Sequence, residues 1–221
     1  DNVNAGDVLF YDKNNEEVKF VSPVSGKISE IQRGERRKVI SIDIKADKNI
    51  EYKNLGKLDS KANKGKIIEY LLNSGLWPFI KQRPYDVIAD HKVSPKAIFV
   101  SGFSSAPLSA DLDFISKDYL DNIQMAIDVL SKLTDGEIHM SIRKKSDSIL
   151  SNLKNTTIHN VSGPHPAGNV GTLINKISPI NKGEVAWTIA LQDLILIGSV
   201  IASGKFSSER IVALVGSSID N

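Results

Sequence analysis

The chain has 221 residues, of which 41% are hydrophobic and 24% charged, a composition typical of ordinary folded proteins and not of disordered, collagen-like or disulfide-rich ones. Its 28 basic and 26 acidic residues leave a net charge of +2, which gives no reason to expect nucleic acid as a partner. Cysteine is absent, which excludes disulfides, thiolate metal sites and cysteine nucleophiles, and the four scattered histidines predict no metal site.

Residues 1–52 are predicted to form a small β domain. Apolar and polar residues alternate in four segments separated by glycine, asparagine and proline turns, at 3–10, 17–21, 26–31 and 38–44. The order of these segments resembles half of a biotinyl/lipoyl-like barrel-sandwich hybrid, in which Lys13 would stand near the modified lysine. No methionine flanks Lys13, so a plain β scaffold is favoured over a carrier domain. The basic run at 33–38 is predicted to be a solvated hairpin tip, with docking onto an acidic partner as the alternative.

Residues 60–221 are predicted to form a Rossmann-like, three-layer α/β domain with a largely parallel sheet. The predicted helices lie at 64–74, 117–133, 169–177 and 192–203, with a helical turn at 146–153. The predicted strands lie at 97–101, 137–142, 157–161, 184–189 and 210–215. The most apolar run, 187–202, is shorter than the roughly 20 residues that cross a bilayer, so it is predicted to be buried and not membrane-spanning. Folds of this class bind ligands at the carboxyl ends of their strands.

The first loop that could carry function is S-G-L-W-P-F-I-K-Q-R-P-Y, at 74–85. Its two prolines argue against a regular helix or a central strand through it. The large aromatic residues either pack on the protein's own core or line a pocket for a flat apolar ligand, with Arg83 or Tyr85 bonding a carbonyl oxygen.

The second is S-G-P-H-P-A-G-N-V-G-T, at 162–172, between a predicted strand and a predicted helix. Free N–H groups at the helix start could face an anion there, which makes Gly163, His165 and Gly168 candidate ligand contacts. The alternative is a purely structural turn. No nucleotide-binding glycine motif and no catalytic triad motif is present in the sequence.

Three aspartates and one loop segment are predicted to have structural roles. Asp111 and Asp113 are predicted to cap a helix start and not to perform acid–base chemistry. The segment 101–108 follows a strand at its carboxyl end and is predicted to rim the crevice of the sheet. Asp193 is predicted to be a helix-start acid or a buried acid with a partner.

Eight ordered segments together resemble the NqrA family, whose members are components of the sodium-translocating NADH:quinone oxidoreductases. They include G-D-V-L-F-Y-D-K-N-N, S-P-V-S-G-K-I, L-Q-D-L-I-L-I-G and E-R-I-V-A-L-V-G, besides the two loops described above. The resemblance covers nearly the whole chain. It implies a fragment of a longer protein that is part of an oxidoreductase complex and has no activity in isolation.

The resemblance also implies quinone binding. The corresponding residues here are Trp77, Phe79, Ile80, Lys81, Gln82, Arg83, Pro84, Tyr85, Asp86 and Val87. In relatives that bind flavin and NADH, a glycine-rich loop stands at this place. Trp77 and Phe79 are expected to fill the volume that a flavin needs, so we expect no cofactor on this chain, with FMN and NADH held by other subunits and ubiquinone as substrate.

The family implies partners and a location as well. The expected partners are the other subunits of the complex, especially its membrane subunits, and the expected place is the cytoplasmic face of the bacterial inner membrane, where the chain would be peripheral. The alternative function is a cofactor-free assembly scaffold of the same complex, which predicts a filled crevice.

Overall fold

The computed structural model describes residues 1–59, 61–144 and 147–216. The described residues form eleven β-strands and five α-helices. The strands are β1 (Asn2–Val3), β2 (Val8–Asp12), β3 (Asn15–Val21), β4 (Gly26–Arg33), β5 (Val39–Ala46), β6 (Lys81–Arg83), β7 (Val87–Ile88), β8 (Ile98–Ser101), β9 (Ile138–Arg143), β10 (Thr157–Val161) and β11 (Ala186–Ala190). The helices are α1 (Lys64–Asn73), α2 (Leu112–Ser116), α3 (Leu120–Leu130), α4 (Val170–Ile177) and α5 (Leu191–Ser203).

The N-terminal residues form two small antiparallel sheets, in the order β1-β4-β5 and β2-β3. The predicted strand at 3–10 is wrong as one strand, because the chain turns at Gly6, whose φ is +95°. Asp7 stabilises this turn by accepting a 2.8 Å hydrogen bond from the backbone of Asn4. Lys13 lies in the tight turn between β2 and β3, and the predicted basic tip at 33–38 lies exposed between β4 and β5.

The remaining residues form an α/β unit on a six-stranded sheet of order β10-β9-β8-β11-β6-β7. The first four of these strands are parallel, as predicted, and β6 and β7 are antiparallel additions. Helices α1, α3 and α5 pack on the face of the sheet that carries Ile98 and Val100. Helix α4 packs on the opposite face, against Phe99. The sheet is therefore buried between two helical layers, which explains why its central strands are apolar on both sides.

Helix α1 forms where the sequence predicts it. The side chain of Asn63 caps the first turn by accepting a 3.0 Å hydrogen bond from the backbone of Lys66. The helix ends before Gly75, whose φ is +71°. A Cβ at Gly75 would lie 2.5 Å from a methyl carbon of Val21, so only glycine lets this turn pack against β3.

Two predicted elements differ from the structure in the C-terminal part. Within the predicted helix at 117–133, α3 covers Leu120–Leu130 and a 3₁₀ turn follows at Ser131–Leu133, whereas the short helix α2 precedes the predicted range. The Ser116 hydroxyl donates to the carbonyl of Leu112, and the chain turns before α3 begins. Asp111 caps α2 by accepting hydrogen bonds from the backbone of Asp113 and Phe114, which confirms its predicted capping role. Asp113 does not cap; it lies in the first turn of α2, where its side chain accepts a hydrogen bond from the Ser148 hydroxyl.

The predicted strand at 210–215 is wrong, since the described residues there are irregular. Strand β11 already has β8 and β6 as neighbours, so it offers no free edge. The backbone of Ile211 pairs instead with the side-chain amide of Gln192, through hydrogen bonds of 2.9 and 3.0 Å. The predicted helical turn at 146–153 appears as a 3₁₀ turn at Ile149–Asn152, and Ser146 lies outside the described residues.

A histidine pair on β9 and β10 predicts that acid destabilises the fold. His139 Nδ1 and His159 Nε2 are 3.1 Å apart, and burial lowers the pKa of both imidazoles below 6.5. The unfolded chain therefore binds protons more readily than the folded one, and the free energy of unfolding should fall as pH falls below about 6.5. Urea unfolding at pH 7.5 and 5.5 measures this loss. The double variant His139→Gln/His159→Gln should reduce it, and His165→Gln, at an exposed imidazole, should not; an equal loss in all three proteins would contradict the assignment.

Candidate functional site

A cleft of about 810 Å³ opens at the carboxyl ends of β8 and β11, the place where ligands bind in sheets of this class. Its volume lies within the roughly 300–1,000 Å³ of small-molecule sites. Both loops that the sequence singles out contribute to its wall, one through the β6–β7 hairpin and the other through the start of α4. Ser101 and Ser104 also line the cleft, which confirms that this segment rims the crevice.

Residues 81–83 of the first loop form β6, which lies between β11 and β7, so the expectation that the prolines exclude a central strand there is wrong. Pro78 lies in a 3₁₀ turn, Trp77–Phe79, and Pro84 follows the last residue of β6, so neither interrupts the strand. Strand β6 pairs antiparallel with β11. Because side chains alternate along a strand, Lys81 and Arg83 share one face, and both line the cleft.

Trp77 and Ile80 point into the core and not into the cleft. Both are fully buried. The indole N–H of Trp77 donates a 2.7 Å hydrogen bond to the carbonyl of Ala89, and its ring packs edge-on against Trp187 at 5.5 Å between centroids. Trp77 therefore does not line the cleft, and its ring instead packs against β11 through Trp187.

The other residues of the predicted quinone segment divide into two groups. Phe79, Lys81, Arg83 and Asp86 line the cleft. Gln82, Pro84, Tyr85 and Val87 do not, and Tyr85 is 84% exposed. The Gln82 side chain accepts a 3.2 Å hydrogen bond from the backbone of Asp90, so it stabilises the hairpin.

The second loop reaches the cleft through Gly168. Its N–H donates a 2.8 Å hydrogen bond to the Ser105 hydroxyl, and its carbonyl accepts one of 2.8 Å from Ser101. A Cβ at Gly168 would lie 2.6 Å from the backbone nitrogen of Ser105, so glycine is required for this close approach. Of the three predicted contacts, Gly168 alone lines the cleft, whereas Gly163 and His165 are exposed outside it.

Two helices begin at the cleft. Their N-cap residues, Asn169 of α4 and Ala190 of α5, give no side-chain hydrogen bond to the first turn. The first backbone N–H groups of a helix carry a partial positive charge. These helix starts, Lys81 and Arg83 are the positively charged features of the cleft.

Two carboxylates also line the cleft, and each forms an ion pair with an arginine. Asp86 pairs with Arg83 at 3.3 Å, and Asp193 pairs with Arg210 at 2.5 Å. Burial raises the pKa of Asp193, and Arg210 and Lys81 oppose this shift. Asp193 thus fits the prediction of a helix-start acid with a partner. Arg83 keeps one buried donor, Nε, with no hydrogen-bond partner among the described residues, and a ligand in the cleft could accept from it.

Sequence reasoning missed the wall formed by the β11–α5 junction. Thr188, Ile189 and Gln192 line the cleft there. The available signal was the short apolar strand at 184–189 followed directly by a helix, because such a junction places its residues at the carboxyl edge of the sheet.

Two absences concern metal binding and membrane crossing. No group of three or more histidine, aspartate or glutamate side chains in residues 1–59, 61–144 and 147–216 is arranged to hold a metal ion. None of the helices in those same ranges has both the length and the apolar character that a membrane crossing requires.

Comparison with known proteins gives matches over most of the chain. Residues 1–47 match the NqrA N-terminal barrel-sandwich hybrid domain, and residues 62–206 match the NqrA second α/β domain. The NqrA protein of the Na⁺-translocating NADH-quinone reductase of Neisseria meningitidis Z2491 is 38% identical over all of this chain and 50% of its own length. The NqrA proteins of Neisseria gonorrhoeae FA 1090 and Hahella chejuensis are 39% and 36% identical over 97% and 98% of this chain, and 48% and 49% of their own lengths.

The chain spans about half the length of the curated relatives it matches. The two matched regions follow each other in the order expected from the sequence, with the β sheets first and the α/β unit second. The chain therefore belongs to the NqrA family, as a barrel-sandwich hybrid domain followed by the second α/β domain of that family.

Proposed function

We propose that this chain is part of the NqrA component of a Na⁺-translocating NADH:quinone oxidoreductase and that its cleft binds quinone. The observation that carries the proposal is the joint placement of Phe79, Lys81 and Arg83 on one wall of an open, ligand-sized cleft. The alternative function, an assembly scaffold, predicts a filled crevice, and the open cleft supports binding instead.

The chemistry of the wall suits a flat neutral molecule that gains negative charge. Phe79, Leu112 and Ile189 offer apolar surface to a quinone ring. A carbonyl oxygen of the ring would face the cations of β6. When an electron arrives from another protein of the complex, negative charge develops on that oxygen, and preorganised cations and helix N-termini stabilise it.

The charge balance distinguishes this ligand from a nucleotide. Asp86 and Asp193 also line the cleft and offset its cations, so the site has no large positive excess for a permanently charged phosphate. We therefore propose that this chain holds neither FMN nor NADH and that other subunits of the complex carry them. The same subunits would be its partners, with this chain peripheral on the cytoplasmic face of the membrane.

The first test removes the two cations. Lys81→Gln/Arg83→Gln should weaken the binding of ubiquinone-1 by about tenfold or more, because a hydrogen bond from a charged group contributes roughly 1.5–3 kcal/mol. Isothermal titration calorimetry on the 221-residue chain measures the dissociation constant. Lys92→Gln, at an exposed lysine outside the cleft, is the matched control and should bind like the wild type. Unchanged affinity in a folded double variant would contradict the proposal.

A further inference from the structure

The hairpin of β4 and β5 ends in a basic tip at residues 33–38, with the sequence R-G-E-R-R-K. Four of these six residues are basic and Glu35 is the one acid, so the basic tip has a net charge of +3. The whole chain has a net charge of only +2, which leaves −1 for all the other residues together. The excess positive charge of the protein is therefore concentrated at this tip.

The charges of the basic tip face solvent and have no carboxylate partners. The basic side chains, those of Arg33, Arg36, Arg37 and Lys38, are all exposed. None of them forms an ion pair with a carboxylate of the described residues. The N–H of Gly34 donates a 2.8 Å hydrogen bond to the carbonyl of Lys38, and Arg33 donates one of 3.2 Å to the carbonyl of Arg37. A closed loop thus presents cations whose charge nothing in the described protein neutralises.

The backbone of the basic tip gives no reason for its two adjacent arginines. Arg36 and Arg37 have φ angles of +53° and +61°, in the left-handed region that favours glycine and asparagine. Hairpin ends with this geometry prefer those two residue types, because a larger side chain strains the turn. Strained positions of this kind persist where the residue serves a function. We therefore attribute the two arginines to their charge and not to the turn.

Exposed aliphatic side chains stand beside these cations. Ile40 is 67% exposed, and a Cβ at Gly34 would lie 2.8 Å from its Cδ1 atom, so Ile40 folds over the basic tip. Val39, which pairs with Arg33 across the hairpin, is 42% exposed. An anionic bilayer suits this combination, because its phosphates attract the cations and the boundary of its acyl chains takes up aliphatic side chains.

We propose that the basic tip binds an anionic lipid surface, with its arginines and Lys38 at the headgroup phosphates and Ile40 in the interfacial layer. The exposed aliphatic residues favour lipid over an acidic protein surface, which would complement the cations alone. This inference deepens the peripheral location that belongs to the proposed function by naming the surface that makes the contact. It does not require quinone binding, so either proposal can fail without the other.

The test measures co-sedimentation of the 221-residue chain with lipid vesicles in the absence of quinone. We expect the chain to bind vesicles that contain about one-third phosphatidylglycerol at least about tenfold more tightly than vesicles of phosphatidylcholine alone, because each basic residue near an anionic surface contributes about fivefold in affinity. Raising the salt concentration from about 0.05 to 0.5 M should remove most of this preference by screening. Equal binding to both vesicles, or binding to neither, would overturn the proposal and leave the basic tip to an acidic protein.

Variants of the basic tip complete the test. Arg36→Asn/Arg37→Asn removes two charges and keeps the turn, since asparagine tolerates the left-handed conformation, and it should weaken binding to the anionic vesicles by about tenfold or more. Arg36→Lys/Arg37→Lys keeps the charge and should bind like the wild type, and Ile40→Gln should weaken binding about fivefold. Lys57→Gln/Lys61→Gln removes the same charge at two exposed lysines outside the tip and should bind like the wild type. Equal losses in the asparagine variant and this control, or no loss in the asparagine variant, would overturn the proposal.

Discussion

Replacing Trp77 with alanine should lower the free energy of unfolding by about 3–5 kcal/mol, the range measured when large buried aromatics are truncated. The side chain is fully buried and packs against Trp187. Its loss also leaves the buried carbonyl of Ala89 without the indole donor, which adds the cost of an unmade hydrogen bond. Urea unfolding followed by circular dichroism measures the change.

Tyr85, a second large aromatic residue of the same loop, is the matched control for Trp77→Ala. It belongs to the same loop, but its side chain is 84% exposed. Tyr85→Ala should change the free energy of unfolding by less than about 0.5 kcal/mol, as surface substitutions usually do. A Trp77→Ala protein as stable as Tyr85→Ala would show that Trp77 does not lie in the core.

Replacing Gly198 with alanine should destabilise the protein by about 3 kcal/mol. A Cβ at this position would lie 1.8 Å from the carbonyl oxygen of Asn122, where α5 crosses α3. The obstacle is backbone, so the two helices must move apart, and overpacking of this kind costs about 1–3 kcal/mol or more. Thermal and urea unfolding report the loss.

Gly65 is the control for this substitution, because it is also a helical glycine. Its nearest neighbour for an added Cβ is the Asn63 side-chain oxygen at 3.7 Å, which is ordinary contact. Gly65→Ala should therefore be neutral or stabilising by up to about 1 kcal/mol, since alanine favours the helix. Equal changes in the free energy of unfolding for the two alanine variants would contradict the close backbone contact between α3 and α5 at Gly198.

The sequence predicts the layout of the fold well where apolar periodicity is strong. The helix at 64–74 and the strands at 97–101 and 157–161 agree with α1, β8 and β10 within a residue. The misses occur where tertiary contacts decide. The apolar run at 210–215 has high strand propensity, but no sheet edge is free at β11 to receive it.

The candidate site was predictable in place but not in detail. The second loop follows β10, so its place at the carboxyl edge of the sheet follows from the topology. The first loop follows α1 and reaches the cleft because β6 pairs antiparallel with β11, a pairing that the sequence did not predict. Nor does the topology give the direction of each aromatic side chain, because an irregular loop has no period that separates core from surface. Trp77 and Phe79 stand two residues apart, yet one is buried in the core and the other lines the cleft.

Hydrogen–deuterium exchange with and without saturating ubiquinone-1 tests whether quinone occupies this cleft. Bound quinone should slow amide exchange at residues 81–86, 168–172 and 190–193, which form three walls of the cleft. NADH at the same concentration should leave the exchange of these segments unchanged. Saturable quinone binding with protection confined to other segments, or protection of these three by NADH and not by quinone, would contradict quinone binding in the cleft.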